Sequence, residues 1–299
     1  HRTGIGVCLD VVYNHLGPSG NYLSDFGPYF TPAHHTPWGE AVNYDHDGSQ
    51  QVRAFVIDSA LRWMRDFHID ALRLDAIHEI KDDAAAAATP QRHVLAELSD
   101  AVAALSIELG RPLSLVAEAD LNDVGVITPT SEEPPAKVPS LGMTAQWADD
   151  VHHALHVRLT GEDQGYYGDF AEVGAWAKAY GRAFLHNGTW STFRERNWGA
   201  PVPEDTDPRR FVVFGSDHDQ VGNRAVGDRP SAILDDAALA ATAALVLLSP
   251  YTPMLFMGEE WGTRTPFQFF TDHEEDDLAR SVSEGRVREF AGFGWDADE

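Results

Sequence analysis

Cysteine is nearly absent: Cys8 is the single thiol in 299 residues. One thiol forms no internal disulfide and supports no multi-cysteine metal site. The count suits a reducing compartment and sets the expectation of a cytoplasmic protein. Long apolar runs are missing too. The best candidate, ALAATAALVLLSP at 238–250, falls short of the ~20 residues that a membrane span needs and closes on proline. It reads as a buried helix, and no membrane partner is expected. Positive charge is scarce, with 22 basic residues against 47 acidic ones and a net charge of −25. Such a surface repels nucleic acid and tolerates a neutral substrate. Lysines are few and no Gly-rich phosphate loop occurs, which argues against phosphoryl transfer. No initiator methionine is present either. Position 1 is His1 and a strand-like run starts almost at once, so the chain reads as an excised piece of something longer, with any targeting signal missing.

What is present is a regular alternation. Six β-rich runs, GIGVCLDVV (4–12), HIDALRLDA (68–76), PLSLVAEAD (112–120), GMTAQWADD (142–150), RRFVVFGSDHD (209–219) and TPMLFMGEE (252–260), are mostly apolar before a charged end. That is the pattern of a parallel sheet buried on both faces. Helical spacing fills the gaps: Val52, Phe55, Val56, Ala60, Leu61, Met64 and Phe67 after the first run, then Val94, Leu95, Leu98, Val102, Leu105 and Leu109 after the second. Two further helices are expected over 170–184 and 235–248. Repeated β-α units of this kind mean a doubly wound sheet or a TIM (β/α)8-type barrel.

Acidic residues close four of the strands. Asp10, Asp75, Glu118 and Asp219 each stand at the end of a strand candidate, where a barrel places its reactive groups. In ALRLDA (71–76) the strand period puts Arg73 and Asp75 on one face. Alone, that pair reads as a structural ion pair; with four convergent acids the functional reading leads. Two carboxyl groups flanking a bond are the minimum equipment for glycoside hydrolysis. Arg73 then favours and orients an ionised Asp75 as nucleophile. Glu118, in the apolar context LVAEA, is the candidate acid whose pKa desolvation would raise. Asp219, beside His218, can bind hydroxyls and stabilise positive charge on the ring.

Metal-dependent hydrolysis is the rival, since His15, His152, His153 and His218 lie among acids near strand ends. No H-x-H pair supports it, and His152 with His153 reads as a loop or core pair rather than as ligands. Residues 17–48, rich in Gly, Pro and aromatics, are expected to form a functional loop excursion over the barrel mouth. Residues 128–140 are expected to be a mobile surface stretch.

DVVYNH (10–15), LRLDA (72–76), the glutamate of AEAD (117–120) and DHDQ (217–220) resemble, in order and spacing, the four signature regions of the alpha-amylase superfamily, family 13 of the glycoside hydrolases. Longer segments, among them TPWGEAVNYD, AQWADDVHHALHVRLTGEDQGYYGDF and SPYTPMLFMGEEWG, resemble the malto-oligosyltrehalose-cleaving trehalohydrolase branch. The resemblance implies a retaining mechanism with Asp75 as nucleophile, Glu118 as acid/base and Asp219 as transition-state stabiliser, supported by Asp10, His15, Arg73 and His218. It implies an oligosaccharide substrate and no cofactor or metal. Asp149 and Asp150 of the WADD run join the substrate-binding candidates, with Trp38, Tyr44, Trp147 and Tyr166 as sugar platforms. Two local departures are Asp217, where the family has asparagine, and Ala148, where the family tends to asparagine. A larger one is the absence of the first two barrel strands and of flanking β-rich domains. Residues 1–299 are therefore expected to be a catalytic barrel fragment carrying the third to eighth β-α units. Branching or debranching enzymes share the scaffold, and a non-catalytic glucan-binding protein would share the groove.

Overall fold

The computed structural model describes residues 1–17, 19–83, 92–134 and 137–291; position 18 of the 17–48 excursion and positions 135–136 of the 128–140 stretch lie outside them. The chain divides into two compact units, His1–Trp147 with Gly199–Arg210, and Ala148–Trp198 with Phe211–Glu299.

In the first unit, β1 (Cys8–Val11) is followed by β2 (Phe30–Thr36), β3 (Gly39–Val42), α1 (Ser49–Asp66), β4 (Ala71–Leu74), α2 (Val94–Leu109), β5 (Ser114–Ala117) and β6 (Ala145–Trp147). Strands β1, β4, β5 and β6 pair side by side in that order, all parallel, with Leu9 opposite Leu72 and Leu72 opposite Leu115. Each crossover helix covers the strands with one stripe. Helix α1 buries Val52, Val56, Ala60 and Met64, four residues apart; Phe55 and Phe67, from the same periodic set, fall beside the stripe and stay exposed. Helix α2 buries Val94, Leu98, Val102 and Leu105 and stops at Gly110, whose φ of 62° suits a residue without Cβ. Leu72, Leu74 and Leu115 are fully buried between the layers, each contributing roughly 1.5–3 kcal/mol of hydrophobic stabilisation.

Two stretches without helical periodicity carry local structure. The 17–48 excursion contains an antiparallel hairpin, β2 with β3, Phe30 facing Val42 and Thr36 facing Gly39. Described residues of the 128–140 stretch are hydrogen-bonded to the rest of the first unit and to one another. Thr130 donates to Asp100 at 2.6 Å, Ser140 to the Glu132 carbonyl at 2.7 Å, and Asp123 accepts the Lys137 and Val138 N–H groups at 3.1 and 3.3 Å. A polar sequence hides such anchors because they are made by residues distant along the chain.

The second unit contains α3 (Asp149–Thr160), α4 (Val173–Arg182), the short antiparallel pair β7 (Thr189–Ser191) and β8 (Arg196–Trp198), β9 (Phe211–Phe214), α5 (His218–Gly222), α6 (Pro230–Ile233), α7 (Asp236–Leu247), β10 (Thr252–Met254) and α8 (Asp276–Ala291). Strands β9 and β10 are parallel, Val212 opposite Thr252. Ala154, Val157, Tyr167, Phe170 and Ala179 form its core between α3 and α4. Helix α7 is not the buried helix its composition suggests: Val246 is its buried residue, while Leu247 is exposed. Its apolar side chains run all round the helix, so a single contact side leaves the others in solvent. Parallel strands joined by helical crossovers make the fold a partial TIM (β/α)8-type barrel.

Candidate active site

Arg73 is the organising residue of the first unit. It lies within β4, flanked by Leu72 and Leu74, and is 5% exposed. A guanidinium so deep persists only when its charge is matched. Its Nη1 donates to Asp10 Oδ1 and to Asp75 Oδ1, both at 2.8 Å, and its Nη2 stands 3.6 Å from Glu118 Oε2. The last spacing is an ion pair without a hydrogen bond. Parallel register explains the first contact, since Asp10 lies directly opposite Arg73 across β1 and β4. The Trp147 ring, at the end of β6, packs 4.5 Å from the guanidinium carbon. Burial works against the Arg73 charge, but Asp10, Glu118 and Asp75 outweigh it and lift its pKa above the ordinary arginine value.

Both principal carboxylates are held from a second side. Asn14 Nδ2 donates to the Asp75 carbonyl at 2.6 Å and to Asp75 Oδ2 at 3.2 Å. Asn14 Oδ1 in turn meets His15 Nδ1, and the His15 ring stacks on Trp38 with centroids 3.9 Å apart and planes 11° apart. Burial pushes the His15 pKa down, partly opposed by Asp75. Glu118 Oε2 accepts the Ala76 N–H at 2.5 Å. That donor is aimed by a left-handed Ala76, φ 40° and ψ 54°, a conformation that costs a non-glycine residue roughly 1–2 kcal/mol and that collects at functional sites. The Glu118 carboxylate thus meets a backbone donor and a guanidinium, where LVAEA had suggested an apolar wall.

Among the aromatic candidates of this unit, Trp38 is about half exposed at 47% and Trp147 is covered at 8%. Tyr44 is 1% exposed and donates its hydroxyl to the Tyr13 carbonyl at 2.7 Å, so it packs the core and offers no face to a sugar. Burial drives its pKa far up.

The second unit carries the remaining candidates. Asp219 follows His218 in α5, with His218 Nε2 3.6 Å from Asp219 Oδ2. Asp217 is the N-cap of that helix, accepting the Gln220 N–H at 2.8 Å. Asparagine caps equally well, so this departure preserves the local fold. Asp150 is buried and accepts the Leu185 and His186 N–H groups at 2.7 and 3.1 Å, a structural role; Asp149 shares the first turn of α3. Tyr166 reaches Gln220 Oε1 at 3.2 Å, and burial raises its pKa to about 12. His152 and His153 form the core pair that was expected, their Nδ1 atoms 3.0 Å apart and packed among Tyr167, Phe170 and Phe214. Burial pushes His152 well below the ordinary imidazole value and His153 to about 3, so both are neutral near pH 7.

Sequence reasoning missed Asn14, although it lies inside the DVVYNH run, and missed the Trp38–His15 stack and the strained Ala76. The first had a legible signal in its position before His15; the other two depend on the hairpin and on a backbone angle.

Parallel β/α units whose strand ends carry an arginine-bound set of carboxylates form a scaffold suited to glycoside hydrolysis. The sequence is homologous to malto-oligosyltrehalose trehalohydrolases. It is 53% identical over 296 residues to the one from Arthrobacter ramosus, covering 99% of this chain and 49% of that protein. The counterpart from Mycobacterium tuberculosis (strain CDC 1551 / Oshkosh) is 51% identical over 300 residues, covering 100% and 50%. Among solved structures, a Salmonella typhimurium protein described as "Putative alpha Amylase" superposes with a TM-score of 0.82 at 40% identity, covering 96% of this chain and 47% of that one. No protein-family model matches the chain. The chain spans about half the length of the curated relatives it matches.

Proposed function

We propose that the protein hydrolyses the α-1,4-glucosidic bond next to the terminal trehalose unit of a malto-oligosyltrehalose, releasing trehalose and a maltooligosaccharide, and so serves trehalose biosynthesis in the cytoplasm. The observation that carries the chemistry is Arg73, one buried guanidinium bonded to Asp75 and 3.6 Å from Glu118. The names of the relatives supply the substrate class.

In this reading, Asp75 attacks the anomeric carbon while Glu118 gives its proton to the leaving glycosidic oxygen, forming a covalent glycosyl-enzyme. Glu118 then takes a proton from water, which displaces Asp75 with overall retention. Arg73 orients Asp75 through one carboxylate oxygen, and Asn14 fixes its second oxygen. Asp10 and His15 line the same strand ends, and Trp38 offers an exposed ring to a sugar. Asp219 stabilises the oxocarbenium-like transition state, with His218, Tyr166 and Asp149 as supporting residues. The 299 residues supply the third to eighth β-α units of the barrel.

Product analysis of the full-length parent protein on maltotriosyltrehalose, maltopentaose and amylopectin tests the proposal. Trehalose and maltotriose from the first substrate, with the plain glucans untouched or slow, is the expected result. Efficient cleavage or rearrangement of the plain glucans would retain the carboxylate chemistry and reassign the protein to an amylase, branching or debranching activity. Unchanged activity in Glu118→Gln would remove the enzymatic assignment of this site.

A further inference from the structure

The β2/β3 hairpin carries a constellation that the glycosidic chemistry does not use. His34 lies in β2, in a stretch where the ladder shifts register between Thr31 and His35; an irregularity of this kind re-aims a side chain out of the pleat. Asp45 and His46 follow the end of β3. The Asp45 carboxylate is 1% exposed, with Oδ2 2.8 Å from His34 Nε2 and Oδ1 2.5 Å from His46 Nδ1. Among the described residues, these three are the group of His, Cys, Asp or Glu whose ligand atoms all lie within 4.8 Å of one another.

Two imidazole nitrogens and one carboxylate are the donor set of a borderline transition-metal dication. Bonds of about 2.0–2.2 Å at tetrahedral or octahedral angles place neighbouring donors roughly 3 Å apart, a spacing that small adjustments reach from donors lying within 4.8 Å of one another. Ca²⁺ and Mg²⁺ prefer all-oxygen shells, so this nitrogen-rich set disfavours them. The His46 side chain is 45% exposed and leaves a route for the ion. Burial opposes the ionised Asp45, but hydrogen bonds from the Asp83 N–H, His46 and His34 outweigh it and keep its carboxyl below the usual range.

We propose that His34, Asp45 and His46 bind a dication of the Zn²⁺, Co²⁺ or Ni²⁺ class. The ion clips β2 to the segment after β3, and through the Asp45 bond to the Asp83 N–H at 2.8 Å it ties the hairpin to the chain beyond β4. Such a clip steadies the hairpin whose turn presents Trp38 to His15.

The test is a Co²⁺ titration of the chelator-treated full-length protein, read by visible d–d absorption and by thermal melting, with Zn²⁺ as competitor. Expected is one Co²⁺ bound per chain, displaced by Zn²⁺, with a higher melting temperature in its presence. His34→Gln and His46→Gln should each weaken binding about tenfold or more, while His35→Gln should leave it unchanged. Asp45 has a structural bond, so the half-exposed His46 carries the test, with circular dichroism confirming its fold. Binding that is equal in wild type and in the H34Q/H46Q double variant, or no saturable binding in wild type, overturns the proposal.

Discussion

The surroundings of Arg73 in the first unit and of His152 in the second are built from opposite materials, carboxylates in one and imidazoles with aromatic rings in the other. Around Arg73, Asp10 and Asp75 bond one guanidinium and Glu118 faces it at 3.6 Å. Around His152, by contrast, the partners are His153, His156 and aromatic rings, and burial holds the pair neutral. A matched charge cluster in low dielectric is a preorganised field, ready for a reaction that develops charge. Neutral imidazoles stacked in a core supply shape and hydrogen bonds. The proposed chemistry therefore rests on the first environment, and the second reads as architecture that titrates only in acid.

The sharpest way to break this contrast is to remove one carboxyl of the proposed catalytic pair. Asp75→Asn or Glu118→Gln should lower kcat by about 10⁴-fold or more, measured on maltotriosyltrehalose, with the fold unchanged by circular dichroism. Losses below tenfold would place the chemistry elsewhere. Arg73→Met comes next: it leaves acids without their cation and should cost on the order of 3–5 kcal/mol in denaturant unfolding, together with activity. Stability equal to wild type would show that the guanidinium does not organise the cluster.

The histidines give the opposite signature. Their folded pKa values lie below the unfolded one, so the unfolded state takes up protons first as pH falls. Stability is therefore intact above about pH 6.5 and declines on acidification towards pH 3, by up to ~1.4 kcal/mol per pH unit for each such group. His153→Phe should flatten part of that slope, and an unaltered slope would mean that His153 is not buried neutral. The smallest effect is expected at Glu162. Hydrogen bonds from His156 and Arg224 bring its carboxyl down to about 2, so its contribution is present above about pH 4.5 and lost as pH falls towards 2. Glu162→Gln should cost about 1 kcal/mol at pH 7, given its partial exposure, and clearly less at pH 2. An equal loss at both pH values would contradict the ionic origin.

Legibility in the sequence followed the range of the interactions. The parallel strands were readable because burial on both faces imposes apolar runs with charged ends, and Arg73, Asp75 and Glu118 were readable because strand period and strand ends are local rules. Tyr44 was misassigned because an aromatic that packs and one that faces a sugar look alike in sequence; its bond to the Tyr13 carbonyl spans 31 positions. The hairpin inside 17–48 escaped notice since β2 carries a ladder irregularity that blurs alternation. Helix α7 misled in the other direction, because composition reports what a helix could bury and not what covers it.

The most direct measurement is to trap the glycosyl-enzyme. Incubation of the full-length protein with a fluorinated α-glucosyl fluoride, followed by proteolysis and mass spectrometry, should place one sugar on the peptide containing Asp75, and Asp75→Asn should abolish the adduct. An adduct on another carboxylate, or cleavage with inverted product stereochemistry and no adduct, would contradict the assignment of Asp75 as the nucleophile held by Arg73.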